Sequence, residues 1–187
     1  MRGILGITGT PGTGKKSVAP IVARSLGVAC LGINELARAE GLMKNAGTEG
    51  EVDTVLLRRA LAKRVKPPAV LYGHLLPYSV DRRRVAKAVV LRCEPSVLKL
   101  RLMSRGYPGE KVLDNVQAEL IGLLSADTVK SFGRARTFEV DTTYSTPAES
   151  AAQVVSIAKG GLKGAGPIDW MPNYDSGTKL RSLLPSP

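Results

Sequence analysis

The chain has 187 residues, 43% hydrophobic and 23% charged, the proportions of one globular domain able to bury a core without staples. Lys plus Arg number 27 against 16 Asp plus Glu, a net charge of +11, which points to an anionic partner. No apolar run reaches the roughly 18 residues of a membrane span, and the apolar start is broken too soon by Gly3 and Gly6 to read as a signal peptide, so a cytoplasmic protein without a membrane partner is expected.

Strand and helix patterns alternate. Arg2–Thr8 is an apolar strand that runs into glycine-rich sequence. Lys15–Leu26 carries Val18, Ile21, Val22 and Leu26 at helical spacing, Gly27–Gly32 is a second strand and Ile33–Gly41 a short helix. Val52–Val65 reads as a helix with an apolar stripe at Val52, Val55, Leu56, Ala60 and Leu61, stopped by Pro67 and Pro68. Ala69–Gly73 and Val85–Cys93 are strands, the second nearly all apolar, as buried parallel strands are. Pro95–Arg105 is a helix with proline at its first position. Lys111–Ser131 reads as one long helix, with Val112, Val116, Leu120, Leu123 and Leu124 along one side. Arg136–Thr142 is the fifth strand. Thr146-Pro147-Ala148-Glu149 is a capping box that starts a last helix running to about Lys159.

This order predicts an α/β fold, a parallel sheet with helices on both faces. Residues 1–159 form the expected domain. Residues 160–187, basic and rich in Gly and Pro, read as a tail that docks through Trp170 or stays mobile. Cys30 and Cys93 lie in apolar stretches and read as core thiols rather than as a disulfide or metal site. The basic excess is uneven: Arg58 to Arg92 holds ten cations and one acid, Asp81. Aromatics at 4% argue against base stacking, so this stretch is either a solvated face or a surface for phosphate backbones.

Gly9-Thr10-Pro11-Gly12-Thr13-Gly14-Lys15 joins the first strand to the first helix and fits the G-x-x-x-x-G-K pattern of a P-loop. Its glycines let backbone N–H groups turn in around phosphate oxygens, the helix N-terminus adds a positive dipole, and Lys15 adds a point charge. Gly12, Thr13, Gly14, Lys15, Lys16 and Ser17 are therefore the candidate ATP-binding residues. The position after Lys15, normally a Mg²⁺-ligating Ser or Thr, holds Lys16. Ser17 is one residue further and rotated by about 100° on a helix. Either Lys16 replaces part of the metal's charge or Mg²⁺ is held through water.

With Ile33–Arg38, Arg101-Leu102-Met103-Ser104-Arg105-Gly106-Tyr107, Asn115, Glu119 and Ile168-Asp169-Trp170, the P-loop resembles the adenylate kinase isoenzyme 6 family. This is a ribosome-associated branch of archaeal and eukaryotic P-loop nucleoside monophosphate kinases, and the likeness runs over about residues 1–172. The resemblance implies a five-stranded parallel sheet ordered 2-3-1-4-5, an AMP-binding region near residues 33–61 and a lid near 104–114. It implies ATP + AMP ⇌ 2 ADP with Mg²⁺, an accompanying ATPase activity, and a part in small-subunit ribosome maturation through a ribosomal protein and pre-rRNA. The alternative is a catalytically weak ATP-binding assembly factor. A different small-molecule kinase on the same fold ranks last.

The residues agree with that chemistry, since phosphoryl transfer needs two anions held in line and their charge neutralised. Arg38, after the second strand, can reach an AMP phosphate with its planar fork. Arg101 and Arg105, four apart, are expected to share a helix face and clamp the ATP phosphates. His74, the lone histidine, can position the attacking water or a γ-phosphate oxygen. Aligned on His74, Tyr72 stands where the family's D-x-H motif has its acid, so the metal contacts are atypical and no metal ligand is assigned. Asp53 falls where the family has an acid in the AMP region. Thr142, Thr143 and Pro147 follow the fifth strand, where this fold walls the adenine.

Overall fold

Short runs of aliphatic residues that are apolar on both faces fit the inside of a parallel sheet and no surface strand. In the computed structural model they form such a sheet: β1 (Ile4–Thr8), β2 (Ala29–Gly32), β5 (Ala69–Tyr72), β6 (Val85–Arg92) and β7 (Thr137–Asp141). The strand order is β2-β5-β1-β6-β7, which in sequence numbering of these five is 2-3-1-4-5 as expected. Ile7 pairs with Tyr72 on one side and Val89 on the other, and every neighbour is parallel. The structure describes residues 3–44, 51–161 and 166–174, with Gly177 and Leu183. Parts of the expected AMP region (45–50) and most of the tail beyond 174 lie outside the described residues.

Helices cover both faces. α1 (Lys15–Leu26) and α8 (Pro147–Lys159) bury Val18, Val22, Val154 and Ile157 against Leu5, Ile7, Val70 and Val89. α2 (Ile33–Ala39), α3 (Thr54–Arg64), α4 (Leu76–Ser79) and α7 (Leu123–Phe132) bury Ile33, Leu57, Leu61, Leu76 and Phe132 against Ile4 and Leu71. α5 (Pro95–Met103) and α6 (Gly109–Leu120) make a third core with Trp170, Tyr174 and Leu183. A short antiparallel pair, β3 (Met43–Lys44) with β4 (Glu51–Val52), projects between α2 and α3. At α8 the Thr146–Glu149 capping box forms in both directions.

Four sequence expectations change. The stripe on α3 is Leu57 and Leu61, while Val55 and Leu56 are 58% and 44% exposed, because Asp53 caps the N–H groups of Val55 and Leu56 and so fixes which face turns inward. The long helix is two: Gly122, at φ 67°, turns the chain between α6 and α7, and Leu123 is left exposed. Periodicity cannot report such a corner, since both halves keep helical spacing. α5 ends at Met103, so Arg105 lies beyond the helix and shares no helix face with Arg101. Cys30 is exposed on the edge strand β2, whereas Cys93 is buried, and burial pushes its thiol up to about 12.

The most heavily bonded buried group is Arg92, 2% exposed at the end of β6. It donates from Nε to Glu119 Oε1 at 2.7 Å, and from Nη1 to Glu139 Oε2 and the Ile168 carbonyl, each at 2.9 Å. Glu119 in turn accepts from the Cys93 amide at 3.0 Å and from the Thr10 hydroxyl at 2.6 Å. Trp170 lies 6.0 Å from the Arg92 guanidinium. Removing one partner leaves an uncompensated charge in the interior, so Glu119→Ala is expected to cost about 3–5 kcal/mol. Chemical unfolding of both proteins measures it, and a loss below about 1 kcal/mol, the scale of a surface pair, would show that the network carries little.

Candidate active site

Parallel strands place their C-terminal ends, and the loops that follow them, along one edge of the sheet. The P-loop leaves β1 there. Gly9, at φ 140°, has no room for a side chain: a Cβ would lie 2.3 Å from the Leu91 carbonyl oxygen. At Gly12 a Cβ would lie 2.6 Å from Leu98 Cδ1. Gly14 then opens α1 in the left-handed conformation, with no side chain capping the first turn and no acid in it. The helix therefore presents backbone N–H groups and a positive dipole at its start. The Lys15 ammonium donates to the Gly9 and Thr10 carbonyls at 2.6 and 2.9 Å, so it rests on the loop it serves.

Around this loop opens a cleft of about 310 Å³ lined by Gly12, Gly14, Lys15, Lys16, Ser17, Asn34, Arg38, His74, Arg105 and Tyr107. The structure thus brings together residues from the loop after β1, from α1 and α2, from the segment after β5 and from the turn after α5. A second hollow of about 180 Å³ continues past Gly12, Thr13 and Ser17 to Arg101, Thr142, Ser145 and Pro147. Gly12, Gly14, Ser17 and Arg105 line both, so together they form one groove across the helix N-terminus. The expected adenine wall and the expected acceptor side lie at its two ends.

Arg101 lines the groove, and its Nη2 donates to the Thr142 and Thr143 carbonyls at 2.8 and 2.7 Å, which ties α5 to the loop after β7. The Thr142 hydroxyl donates within reach of the Thr13 and Arg92 carbonyls, at 3.0 and 2.9 Å. Asp53 caps α3 and does not line the groove. His74 is half-buried. Burial, and then the Lys15 charge, pushes its imidazole down to about 4, so near neutral pH it is an uncharged ring with one donor and one acceptor nitrogen.

The main wall of the cleft holds four cations, Lys15, Lys16, Arg38 and Arg105, and no carboxylate. Beside the cleft stands Glu35 on α2, whose Oε1 lies 3.4 Å from Lys16 Nζ. Tyr72, at the end of β5, lies beside Glu35 over Gly32, and burial followed by the Glu35 charge pushes its phenol up. Sequence reasoning singled out Lys16 and Tyr72 and missed Glu35 as the residue that joins them. Spacing along the chain has no sign of it, because α2 and β5 meet only in the folded sheet.

A family model described as an AAA domain matches residues 5–122. A protein of Thermococcus onnurineus described as "Putative adenylate kinase" is 32% identical over 177 residues, covering 92% of this chain and 93% of its own. One of the same description from Natronomonas pharaonis is 36% identical over 159 residues, covering 82% and 89%. Among solved structures, a shikimate kinase from Acinetobacter baumannii in complex with shikimate superposes with a TM-score of 0.60 at 18% identity, over 86% of this chain and 95% of its own. That likeness carries the fold.

One titration follows from the half-buried histidine. Unfolded His74 takes up a proton near 6.5 and the folded side chain only near about 4, so the unfolded state binds more protons between those values and stability falls as pH drops through that window. The slope approaches about 1.4 kcal/mol per pH unit at most. His74→Asn is expected to flatten it. Urea midpoints at several pH values between 4 and 7 measure both proteins, and equal slopes would refute the assignment.

Proposed function

The chain belongs to the AAA-domain family and to the group of these archaeal relatives, and on that premise we propose that it is an adenylate kinase that moves the γ-phosphoryl group of ATP to AMP. The single observation that carries the reading is the groove itself, where Lys15, Arg38, His74 and Arg105 converge on a helix N-terminus. It supports a two-anion site: a triphosphate on the P-loop and a monophosphate facing Arg38.

In this reading the P-loop N–H groups and Lys15 hold the β- and γ-phosphates. Arg105, in the turn ahead of α6, closes over them from the lid. Arg38 fixes the AMP phosphate with its planar fork. An AMP phosphate oxygen then forms the new bond to the γ-phosphorus while the β–γ bridge bond breaks, and ADP leaves on each side. Charge spread over the transferring group is met by cations already in place, so little reorganisation is needed at the moment of transfer. Neutral His74 orients the acceptor oxygen. With AMP absent, water takes that place, which is the accompanying ATPase reaction. The side chains do not fit a protein-held Mg²⁺, since no acid lines the main cleft and Lys16 stands at the hydroxyl position. Arg101 holds the adenine-side loop after β7.

A second reading, an ATP-binding assembly factor that docks a ribosomal protein or pre-rRNA, is favoured by the opposite end of the molecule. Arg82, Arg83 and Arg84 precede β6, and Arg134 and Arg136 precede β7. Arg136 donates to the Arg82 carbonyl at 3.1 Å and Arg84 to the Leu61 carbonyl at 3.2 Å, so these segments meet α3 with its exposed Arg58, Arg59 and Lys63. The resulting basic face suits a phosphodiester backbone and leaves the groove at the other end of the sheet free. The two readings are compatible in one molecule.

Formation of ADP from ATP, with and without AMP, tests the kinase. AMP-dependent turnover is expected, and its absence would overturn the proposal. Arg38→Ala is expected to raise the AMP KM by about 10–100-fold, the worth of a charge-assisted contact of about 1.5–3 kcal/mol. An unchanged AMP KM would remove Arg38 from the acceptor site. For the basic face, combined Arg82→Glu, Arg83→Glu and Arg134→Glu is expected to weaken binding to small-subunit pre-rRNA. It should also lower the slope of log affinity against log salt by about 2–3, with AMP-dependent turnover retained. An unaltered slope would refute an RNA surface there.

A further inference from the structure

The usual metal arrangement of a P-loop needs a hydroxyl directly after the loop lysine and a carboxylate at the end of the neighbouring strand. This chain has Lys16 and Tyr72 at those places. Among the described residues no cluster of three or more His, Cys, Asp or Glu could hold a metal ion. Ser17 and Asn34 line the cleft, and the Asn34 Oδ1 is buried without a hydrogen-bond partner, so the cleft offers a divalent ion two neutral oxygens and no carboxylate. A divalent cation placed among Lys15, Lys16, Arg38 and Arg105 would meet like charge on every side.

The two departures are connected. Glu35 meets both: its Oε1 is 3.4 Å from the Lys16 ammonium, and its carboxylate lies beside the Tyr72 ring. The pair packs over Gly32, where a Cβ would lie 1.9 Å from Glu35 Oε2 and 2.9 Å from Tyr72 Cζ. Gly32 has an ordinary extended backbone (φ −92°), so its lack of a side chain is needed for space and not for conformation. Gly32, Glu35 and Tyr72 thus form a cradle that keeps one ammonium at the mouth of the phosphate cleft. Lys16 and Glu35 side chains are 74% and 44% exposed, and an ion pair so exposed holds its partner weakly. A triphosphate arriving at the helix N-terminus offers the ammonium a stronger anion.

We propose that Lys16, presented by the Gly32–Glu35–Tyr72 cradle, supplies the phosphate-neutralising charge that a protein-held divalent metal would otherwise bring, so that this site binds free ATP as well as its magnesium complex. Lys16 moves from Glu35 to the β- and γ-phosphate oxygens when the nucleotide binds. Glu35 and Tyr72 are positioning residues that act through it. The inference rests on the ATP-binding half of the proposed function and is independent of the acceptor.

Calorimetric titration of ATP into the full chain, in EDTA and in excess Mg²⁺, tests it. The two dissociation constants are expected to agree within about threefold, less than the tenfold step that marks a significant interaction. Lys16→Thr restores the usual hydroxyl on an exposed position. It is expected to weaken ATP binding in EDTA by about tenfold or more while changing binding in Mg²⁺ much less, so that a metal dependence appears. Glu35→Gln frees Lys16 and is expected to tighten the EDTA constant below the wild-type value, which a merely structural role for Glu35 would not do, and an unchanged or weaker EDTA constant would remove Glu35 from the device. Binding by the wild type that needs Mg²⁺, or equal losses in both buffers for Lys16→Thr, would overturn the inference and leave phosphotransfer to AMP standing. Failure to bind ATP in either buffer would overturn both.

Discussion

Everything near the P-loop depends on one buried charge. Arg92 sits at the end of β6, between β1 and β7, with almost no solvent contact, and a guanidinium in that position must have its hydrogen bonds and its counter-charge supplied by protein. Two carboxylates do so, Glu119 from α6 and Glu139 from β7. Because each of them also accepts from elsewhere, the cluster reaches four parts of the molecule. Thr10 of the P-loop donates to Glu119, and the Ile168 amide donates to Glu139. The phosphate loop, α6, the last strand and the segment carrying Trp170 therefore share one polar centre. Displacing α6 or β7 would leave a buried charge without its counter-charge, and displacing the loop or the Trp170 segment would leave a buried charged group short of a hydrogen bond.

That rigidity matters because the groove beside it works by position. A P-loop gains its anion affinity from N–H groups aimed before the ligand arrives. Gly9 and Gly12 give the loop its path, with Leu91 and Leu98 filling the space that side chains would need. Thr142 bridges the loop to the end of β6 through two carbonyls, and Arg101 ties α5 to the loop after β7. The mobile chemistry is then confined to long cationic side chains at the rim. Lys16 and Arg105 can move without disturbing the frame.

Charge is divided between the two ends of the sheet. At the C-terminal ends of the strands the cations are few and converge on a concave groove. At the N-terminal ends they are many and spread over several segments, some bonded to carbonyls or to Asp81 and others exposed, so the field is broad. Convergence suits a small polyanion held in one pose, whereas a broad field suits a backbone held in many. The net charge of +11 is a single quantity, and only its separation into these two patterns gives it meaning.

The alternation of strands and helices, the P-loop and the capping box at Thr146 were legible in the amino-acid sequence because each rests on local rules: apolar runs, glycine at forced backbone positions, and a side chain reaching a near neighbour; the spatial order of the strands came with the family resemblance. Lys16 and Tyr72 were legible as departures for the same reason, since a motif fixes what should stand at each place. The corner at Gly122 and the inward face of α3 were not, because helical periodicity is blind to a turn that keeps its phase and to a cap that sets it. Arg92 looked like one more surface cation until two acids from distant segments were found against it. The same holds for Glu35, which gains its place between Lys16 and Tyr72 when β2 and β5 pair and bring α2 beside the strand end. What the sequence determined by itself was the kind of loop and the order of elements. Which charges are buried, which are shared and which are left to meet a ligand was decided only by tertiary structure, because electrostatic partners are chosen by distance in space and not along the chain.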